Sequence, residues 1–191
     1  MFVLVSGASG SGKSTIIKAV LKKFGKLIAL LPSSTSRPKR PGEVEGGSYY
    51  YLTKKEFEDA IANGEFIEYQ KVHSNGHYYG VHKKRYQEYS KKYPILIKDV
   101  DVLGVMEIVR LGYDCVTIYI DIKDDESLIS RLRHRGDSEA EIEIRLKRKE
   151  FEDSFRDKYD YVVSNDNLKK AINEVCEIIK KEYNERKQGE K

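Results

Sequence analysis

Gly7, Gly12, Lys13 and Ser14 are the residues whose types and spacing specify chemistry most directly. They belong to Gly7-Ala8-Ser9-Gly10-Ser11-Gly12-Lys13-Ser14-Thr15, a G-x-x-x-x-G-K-S run. It lies between the apolar segment Phe2-Val-Leu-Val5 and the amphipathic segment Ile16-Ile-Lys-Ala-Val-Leu21. A strand before and a helix after are the context this motif requires. The glycines permit positive φ and let backbone N–H groups approach phosphate oxygens closely. The helix that follows directs the positive end of its dipole at the same anion. Lys13 is placed to reach the β- and γ-phosphates, and the Ser14 hydroxyl can complete a Mg²⁺ shell. The plainer alternative is a Gly/Ser-rich connector, which does not account for all four fixed positions arriving between a strand and a helix.

A phosphate loop by itself does not separate a kinase from a GTPase, a motor or a switch. Other residues point to a second phosphate. Arg37 and Arg40 lie in one loop, Tyr49 follows, and Tyr79 returns on a hairpin. Guanidinium forks and phenol hydroxyls suit an anion distinct from the one held by the glycine loop. The alternative for these four is solvated loop charge with tyrosines in a local core. A further group, Arg131, Arg133, Arg135, Arg145 and Arg148, brackets Gly136. Arginines delivered by a mobile segment suit the charge that spreads over oxygens during phosphoryl transfer. Arg133 and Arg148 read instead as a solvated face paired to nearby glutamates.

A chain of 191 residues makes one domain able to bury its own core. Charged residues make up 35% of the chain and apolar residues 39%, with the apolar ones in dense, regular runs, so the composition excludes intrinsic disorder. A net charge of +4 is a mild excess that suits anionic small ligands and gives little support to nucleic-acid binding. Cys115 and Cys176 lack metal-ligand spacing and fit a reducing compartment. No run reaches membrane-spanning length and the N-terminal apolar run is too short for a signal peptide, so a soluble, cytoplasmic protein is expected.

The periodicity predicts a strand at 2–6, a helix at 13–24 closed by Gly25, and a short strand at 27–31. Residues 33–51 read as an exposed loop, followed by a capping box at Thr53 and Glu56 that opens a helix. A strand over 65–72 returns through Ser74-Asn75-Gly76 into 77–81 as a hairpin. Alternation then resumes: helix 82–92, strand 94–101, helix 102–111, strand 115–121, a helix capped by Asp124 or Asp125, and a charged helix over 138–157 with a thin apolar seam. The strand at 159–163 and a helix capped by Asn165 or Asp166 complete the chain, with a frayed tail after Tyr183. The expected fold is α/β: a doubly wound parallel sheet with a P-loop (core 1–32, 82–123 and 158–191), an inserted β-rich lobe at 33–81 and a helical lid at 124–157. The nucleotide site belongs at the carboxyl ends of the strands.

With these stretches in order, the chain resembles guanylate kinase over nearly its full length. The resemblance is carried by the loop Ser6–Thr15, Ser33-Ser-Thr-Ser-Arg37-Pro-Lys-Arg40-Pro-Gly-Glu43, Gly64-Glu-Phe-Ile-Glu68-Tyr, Tyr78-Tyr79-Gly80, Asp99-Val-Asp101, Arg131-Leu-Arg-His-Arg135-Gly, Arg145-Leu146 and Asn165-Asp166. It implies an enzyme that transfers the γ-phosphoryl of ATP reversibly to GMP with Mg²⁺, in purine nucleotide metabolism. Its partners are then the small molecules ATP and GMP, with no nucleic acid and no membrane, and its state a monomer or weak homodimer. The resemblance places the glycine loop from Gly7 to Thr15 with Asn165 and Asp166 at ATP, and Ser14 at the metal. It places Ser33, Arg37, Arg40, Tyr49, Glu68, Tyr79, Asp99 and Asp101 at GMP, and gives Lys13, Arg40, Arg135 and Arg145 to catalysis. Whether Asp99 or Asp101 acts on the metal or on the acceptor stays open. The assignment of Glu68 to guanine has independent chemical sense, because N1–H and the 2-amino group are adjacent donors that one carboxylate can accept together. Its alternative is a surface carboxylate on an edge strand.

Three positions depart from the family pattern. Val81 stands where a hydroxyl residue is usual, Leu103 where Gln is usual, and Lys98 interrupts an apolar strand. Val81 and Leu103 raise the alternative of a kinase for a different nucleoside monophosphate; a second alternative, of another class, is a non-catalytic guanylate-kinase-like module that binds phosphopeptides. The intact loop with Lys13 and Ser14 speaks against the second.

Overall fold

The computed structural model describes residues 1–72 and 76–189. The chain begins with β1 (Phe2–Ser6), α1 (Lys13–Phe24) and β2 (Ile28–Leu30). It continues through β3 (Ser33–Thr35), β4 (Tyr49–Tyr51), α2 (Lys54–Ala62), β5 (Phe66–Lys71) and β6 (Tyr78–His82). Next come α3 (Lys83–Ser90), β7 (Ile95–Asp99), α4 (Val102–Arg110) and β8 (Cys115–Asp121). The chain closes with α5 (Asp125–Arg135), α6 (Glu139–Asp153), β9 (Tyr161–Ser164) and α7 (Leu168–Gly189).

Every residue of β1 is buried, because this strand sits at the centre of a parallel sheet ordered β2-β7-β1-β8-β9. A strand covered on both faces reads as a continuous apolar run rather than an alternation. One face packs Val3 and Val5 against Ile16 and Val20 of α1 and Val175 and Ile179 of α7. The other packs Phe2, Leu4 and Leu96 against Val105 and Ile108 of α4. The expected doubly wound α/β architecture is therefore present. Its register matters for chemistry: Val5 pairs with Asp99, which sets that carboxylate beside the strand end where the glycine loop starts.

A second sheet, ordered β4-β3-β6-β5, is built from residues 33–82. Its strands β3 and β4 run parallel, and β6 is antiparallel to β3 and β5. The Phe57 ring stacks on Phe66 with centroids 4.3 Å apart, giving this sheet and α2 a small core of their own. Ile67 and Val81 reach into the core beneath α4 and fasten the second sheet to the first. Helices α5 and α6 are held more lightly. Their cluster with Ala8 and Ile122 takes two buried side chains from α5, Leu128 and Leu132, and one from α6, Ile142. Phe151, also on α6, is half exposed.

Three expectations need correction. Residues 33–51 are not all loop. Ser33–Thr35 and Tyr49–Tyr51 are strands whose ladders, too short for periodicity to reveal, are closed by partners distant in sequence. The cap of α7 is Asn167, whose Oδ1 accepts from the Lys170 N–H at 3.0 Å, and neither Asn165 nor Asp166. The tail after Tyr183 remains helical to Gly189, because Arg186 pairs with Asp114 at 3.1 Å and with Glu182 one turn back. The capping box at Thr53 and Glu56 is present on both sides. The hairpin of β5 and β6 is also present, although Ser74 and Asn75 of its proposed turn lie outside the described residues.

Candidate active site

The glycine loop leaves α1 open to an anion. Gly12 is the N-cap of α1 at φ +90°, and no side chain caps the first turn, which also lacks acidic residues. The backbone donors at that end are thus left for a ligand, in the positive field of the helix. Glycine is required at both ends of the loop: a Cβ on Gly7, at φ +136°, would lie 2.2 Å from the Ile120 carbonyl oxygen. One on Gly12 would lie 2.3 Å from Asn165 Nδ2. Lys13 folds over the loop, its Nζ donating to the carbonyls of Gly7 at 2.6 Å and Ala8 at 3.0 Å.

A cavity of about 600 Å³ opens here, lined by Ser9, Gly10, Gly12, Lys13, Ser14, Thr15, Asp99, Arg131, Arg135, Asn165 and Leu168. Asn165 is buried and donates from Nδ2 to the Ser11 carbonyl at 2.6 Å, tying the end of β9 to the loop. Ala8 lies in the α5–α6 cluster, and Ser11 is buried with its hydroxyl unpartnered among the described residues. Arg145 reaches the loop from α6, Nη1 donating to Ser9 Oγ at 2.8 Å, while its buried Nε has no hydrogen-bond partner among the described residues. Arg135 is paired to Asp137, which also draws Arg145 at 3.5 Å. Asp166 is exposed and accepts from Ser164 at 2.6 Å. Arg133 is a surface pair with Glu139, as expected, whereas Arg148 bonds Glu152 at 2.9 Å and also approaches Asp101 at 3.7 Å.

A second, smaller cavity of about 100 Å³ is lined by Ser33, Glu68, Gln70, Val72, Tyr79, Gly80, Lys98, Asp99, Val100 and Asp101. Between the two lies a third of about 220 Å³, to which Ser14, Ser33, Tyr49, Lys98 and Asp99 contribute. Asp99 lines all three and is the hinge of the arrangement. Glu68 sits on an edge strand yet is only 8% exposed, so it is no surface carboxylate. Burial pushes its carboxyl up to about 7, opposed by the charge of Lys98 and reinforced by Asp101. Asp101 is the N-cap of α4, accepting from the Gly104 N–H at 2.9 Å and from Gln70 Nε2 at 2.7 Å. Desolvation raises it above the usual carboxylate range.

Arg37 is buried and fixed. It donates to both Glu43 oxygens, at 2.7 and 3.0 Å, and lies 5.3 and 5.7 Å from the ring centroids of Tyr49 and Tyr51. This bidentate pair holds the Glu43 carboxyl down at about 2 and raises the guanidinium. The Tyr49 and Tyr79 rings meet edge-on at 6.0 Å. Arg40 is exposed, and its bond to Glu43 comes from its main-chain N–H at 2.7 Å. Of the proposed residues, Ser14, Thr15, Arg40, Asp99, Arg135 and Asp166 are exposed; Ser14, Thr15, Asp99 and Arg135 line the cavity at the glycine loop, whereas Arg40 and Asp166 line none of the three cavities. Sequence reasoning missed Gln70, although its spacing of two from Glu68 along one strand was a usable signal. It also missed the bond from Arg131 Nη2 to the Asn165 carbonyl at 2.9 Å.

The guanylate kinase family model matches residues 1–182. The chain belongs to the guanylate kinase family. A guanylate kinase of Fusobacterium nucleatum is 39% identical over 177 residues, covering 92% of this chain and 94% of that protein. One from Thermotoga maritima is 34% identical over 180 residues, covering 94% and 86%. The crystal structure of guanylate kinase from Anaplasma phagocytophilum superposes with a TM-score of 0.73 at 29% identity, covering 96% of this chain and 85% of that one. Within the guanylate kinase fold of this chain, Val81 is fully buried in the core beneath α4. Leu103 is half exposed on α4. Among the described residues, no helix is long and apolar enough to cross a membrane.

Proposed function

We infer that this protein is an ATP:GMP phosphotransferase, moving the γ-phosphoryl of ATP to GMP reversibly to give ADP and GDP. The observation that carries the reading is Asp99, which borders both the cavity at the glycine loop and the one containing Glu68. Two cavities that share a wall can hold a donor and an acceptor in line. The family membership and the intact loop favour this over a non-catalytic phosphopeptide module, and the buried Glu68 favours GMP over another monophosphate.

In this reading ATP occupies residues Gly7 to Thr15 with Asn165 at the side, and GMP occupies Ser33, Arg37, Tyr49, Glu68 and Tyr79. An acceptor phosphate oxygen is already a nucleophile, so no covalent enzyme intermediate is needed. Catalysis is alignment and charge neutralisation. Lys13 leaves its loop carbonyls for phosphate oxygens, and Arg145, already beside Ser9, exchanges Asp137 for phosphate. Arg135 exchanges Asp137 for phosphate, and Arg40 swings in from solvent. The Ser14 hydroxyl and the nearby Asp99 carboxylate are hard oxygen donors that fit Mg²⁺, with Asp101 committed to capping α4. Held there with ATP, that ion would neutralise part of the phosphate charge. Residues 33–81 form a monophosphate-binding lobe and 124–157 a lid, and their closure excludes water. The setting is purine nucleotide metabolism in the cytoplasm. The test is ADP release from ATP with Mg²⁺ and GMP, dGMP, IMP, AMP, CMP or UMP in parallel. Stimulation by GMP above the others is expected; stimulation by none would end the kinase reading, and preference for AMP or CMP would end the assignment to GMP.

A further inference from the structure

Lys98 is a buried charge that follows three apolar residues in β7, and the chemistry assigned so far leaves it without a task. It follows Ile97 in β7 and is 5% exposed. Burying an ammonium is expensive unless partners compensate it. Among the described residues its hydrogen-bond partner is Ser33 Oγ. An ammonium has three N–H donors and no acceptor. Ser33 Oγ therefore accepts from Lys98, its own hydroxyl proton is turned elsewhere, and Lys98 retains two N–H groups. Both residues line the cavity that contains Glu68. The carboxylates of Glu68 and Asp99 line the same cavity and offer its charge compensation. The cavity thus presents a pair of donors, Lys98 and Ser33, along with a double acceptor, Glu68.

That pattern is the complement of one base edge. Guanine carries a 6-oxo acceptor beside the N1–H and 2-amino donors, whereas adenine carries a 6-amino donor beside an N1 acceptor. We propose that Lys98, with the Ser33 hydroxyl it orients, donates to the 6-oxo oxygen of the acceptor base and is a specificity-determining residue of this chain. The proposal rests on the GMP reading above. It assigns a donor to a site in which Val81 brings no hydroxyl, and it explains why a cation is kept in a buried strand. Adenine would set its amino group against the ammonium and its N1 lone pair against Glu68, a double mismatch that buried polar sites reject strongly.

The test compares wild type with Lys98→Met, which keeps the length of the side chain and removes its donors. GMP, IMP and 6-thioguanosine monophosphate serve as acceptors. The thio compound keeps N1–H and the 2-amino group and replaces the oxygen with a weak sulfur acceptor. With Lys98→Met, kcat/KM for GMP and IMP is expected to fall about 10- to 100-fold, the range for losing a charge-assisted hydrogen bond, and for the thio compound to stay within about threefold. Lys98→Gln, which restores one N–H donor, should recover part of the loss on GMP. ATP affinity and thermal midpoint report whether each variant is folded. An unchanged GMP rate in Lys98→Met would overturn the proposal. So would equal losses on all three acceptors, the result expected if Lys98 serves only as a counter-charge to Glu68. Failure of the wild type to phosphorylate GMP would instead overturn the underlying reading.

Discussion

Glu68, proposed to accept two hydrogen bonds from the base of GMP, is held where burial favours its protonated form. Its carboxyl stands at about 7, above the ordinary 4.5. Between those values the folded chain holds a proton that the unfolded chain has lost. Stability from this group is therefore present at low pH and is lost as pH rises through about 7. Binding has the opposite sign, because GMP needs the ionised form. We expect GMP affinity to improve as pH rises through about 7, with proton release on binding below that value. Calorimetry in buffers of different ionisation enthalpy measures the release, and Glu68→Gln separates it from ionisation of the GMP phosphate. Equal proton release in the variant would contradict this role for Glu68. Arg40 makes a different prediction, since its side chain is exposed. Arg40→Ala should lower turnover about 10²- to 10³-fold while leaving the thermal midpoint unchanged, and a kcat like wild type would sink its role.

Among the elements, α4 decides whether Glu68 is a recognition group or a surface charge. The helix begins where Asp101 caps it, and its third residue, Gly104, lets β5 approach. A Cβ at Gly104 would meet Val100 Cγ1 at 2.6 Å and Glu68 Oε2 at 2.9 Å. Gly104→Ala should therefore displace the carboxylate, raise KM for GMP at least about tenfold and cost about 1–3 kcal/mol of stability as overpacking. ATP affinity should not change, because the glycine loop lies on another strand end. Steady-state kinetics with each nucleotide varied in turn checks this, and equal effects on both would contradict it. The boundaries of α1, α2 and α4 were legible beforehand because caps, apolar stripes and glycine stops are local signals. Strands β3 and β4 were not, since three-residue ladders depend wholly on partners brought from elsewhere in the chain.

At the scale of the molecule, the parallel sheet is deeply buried while α5 and α6 lean on it through few apolar side chains. Ile142 is the buried apolar residue that α6 contributes. Polar links supplement it: Tyr119 to Asp153 at 2.6 Å, and Lys149 to Asp125 at 3.2 Å. An element held by little apolar area is drawn from the low-stability end of the structure and can move without unfolding the rest. Arg135 and Arg145, both paired to Asp137, must be released from it to meet phosphate. We expect the radius of gyration to fall when ATP with Mg²⁺ and a non-reacting GMP analogue are added together, and to fall less with either alone. Small-angle scattering reads this directly, and an unchanged radius with both ligands would contradict closure of the lid.

The amino-acid order by itself determined the glycine loop, the alternation of strands and helices and the candidate donors and acceptors, because each depends on neighbours within a few residues. Tertiary structure decided which of them meet. Register between β1 and β7 put Asp99 at the wall shared by the cavity at the glycine loop and the one containing Glu68, and the packing of α4 on β5 buried Glu68. The approach of β3 to β7 gave Lys98 its bond to Ser33, across a separation of 65 residues. Arg37 and Arg40, indistinguishable in the sequence, were separated by their surroundings: one is locked between Glu43 and two tyrosines, the other faces solvent. Burial and long-range pairing are properties of the folded chain, and with them come the shifted titrations on which recognition of the acceptor depends.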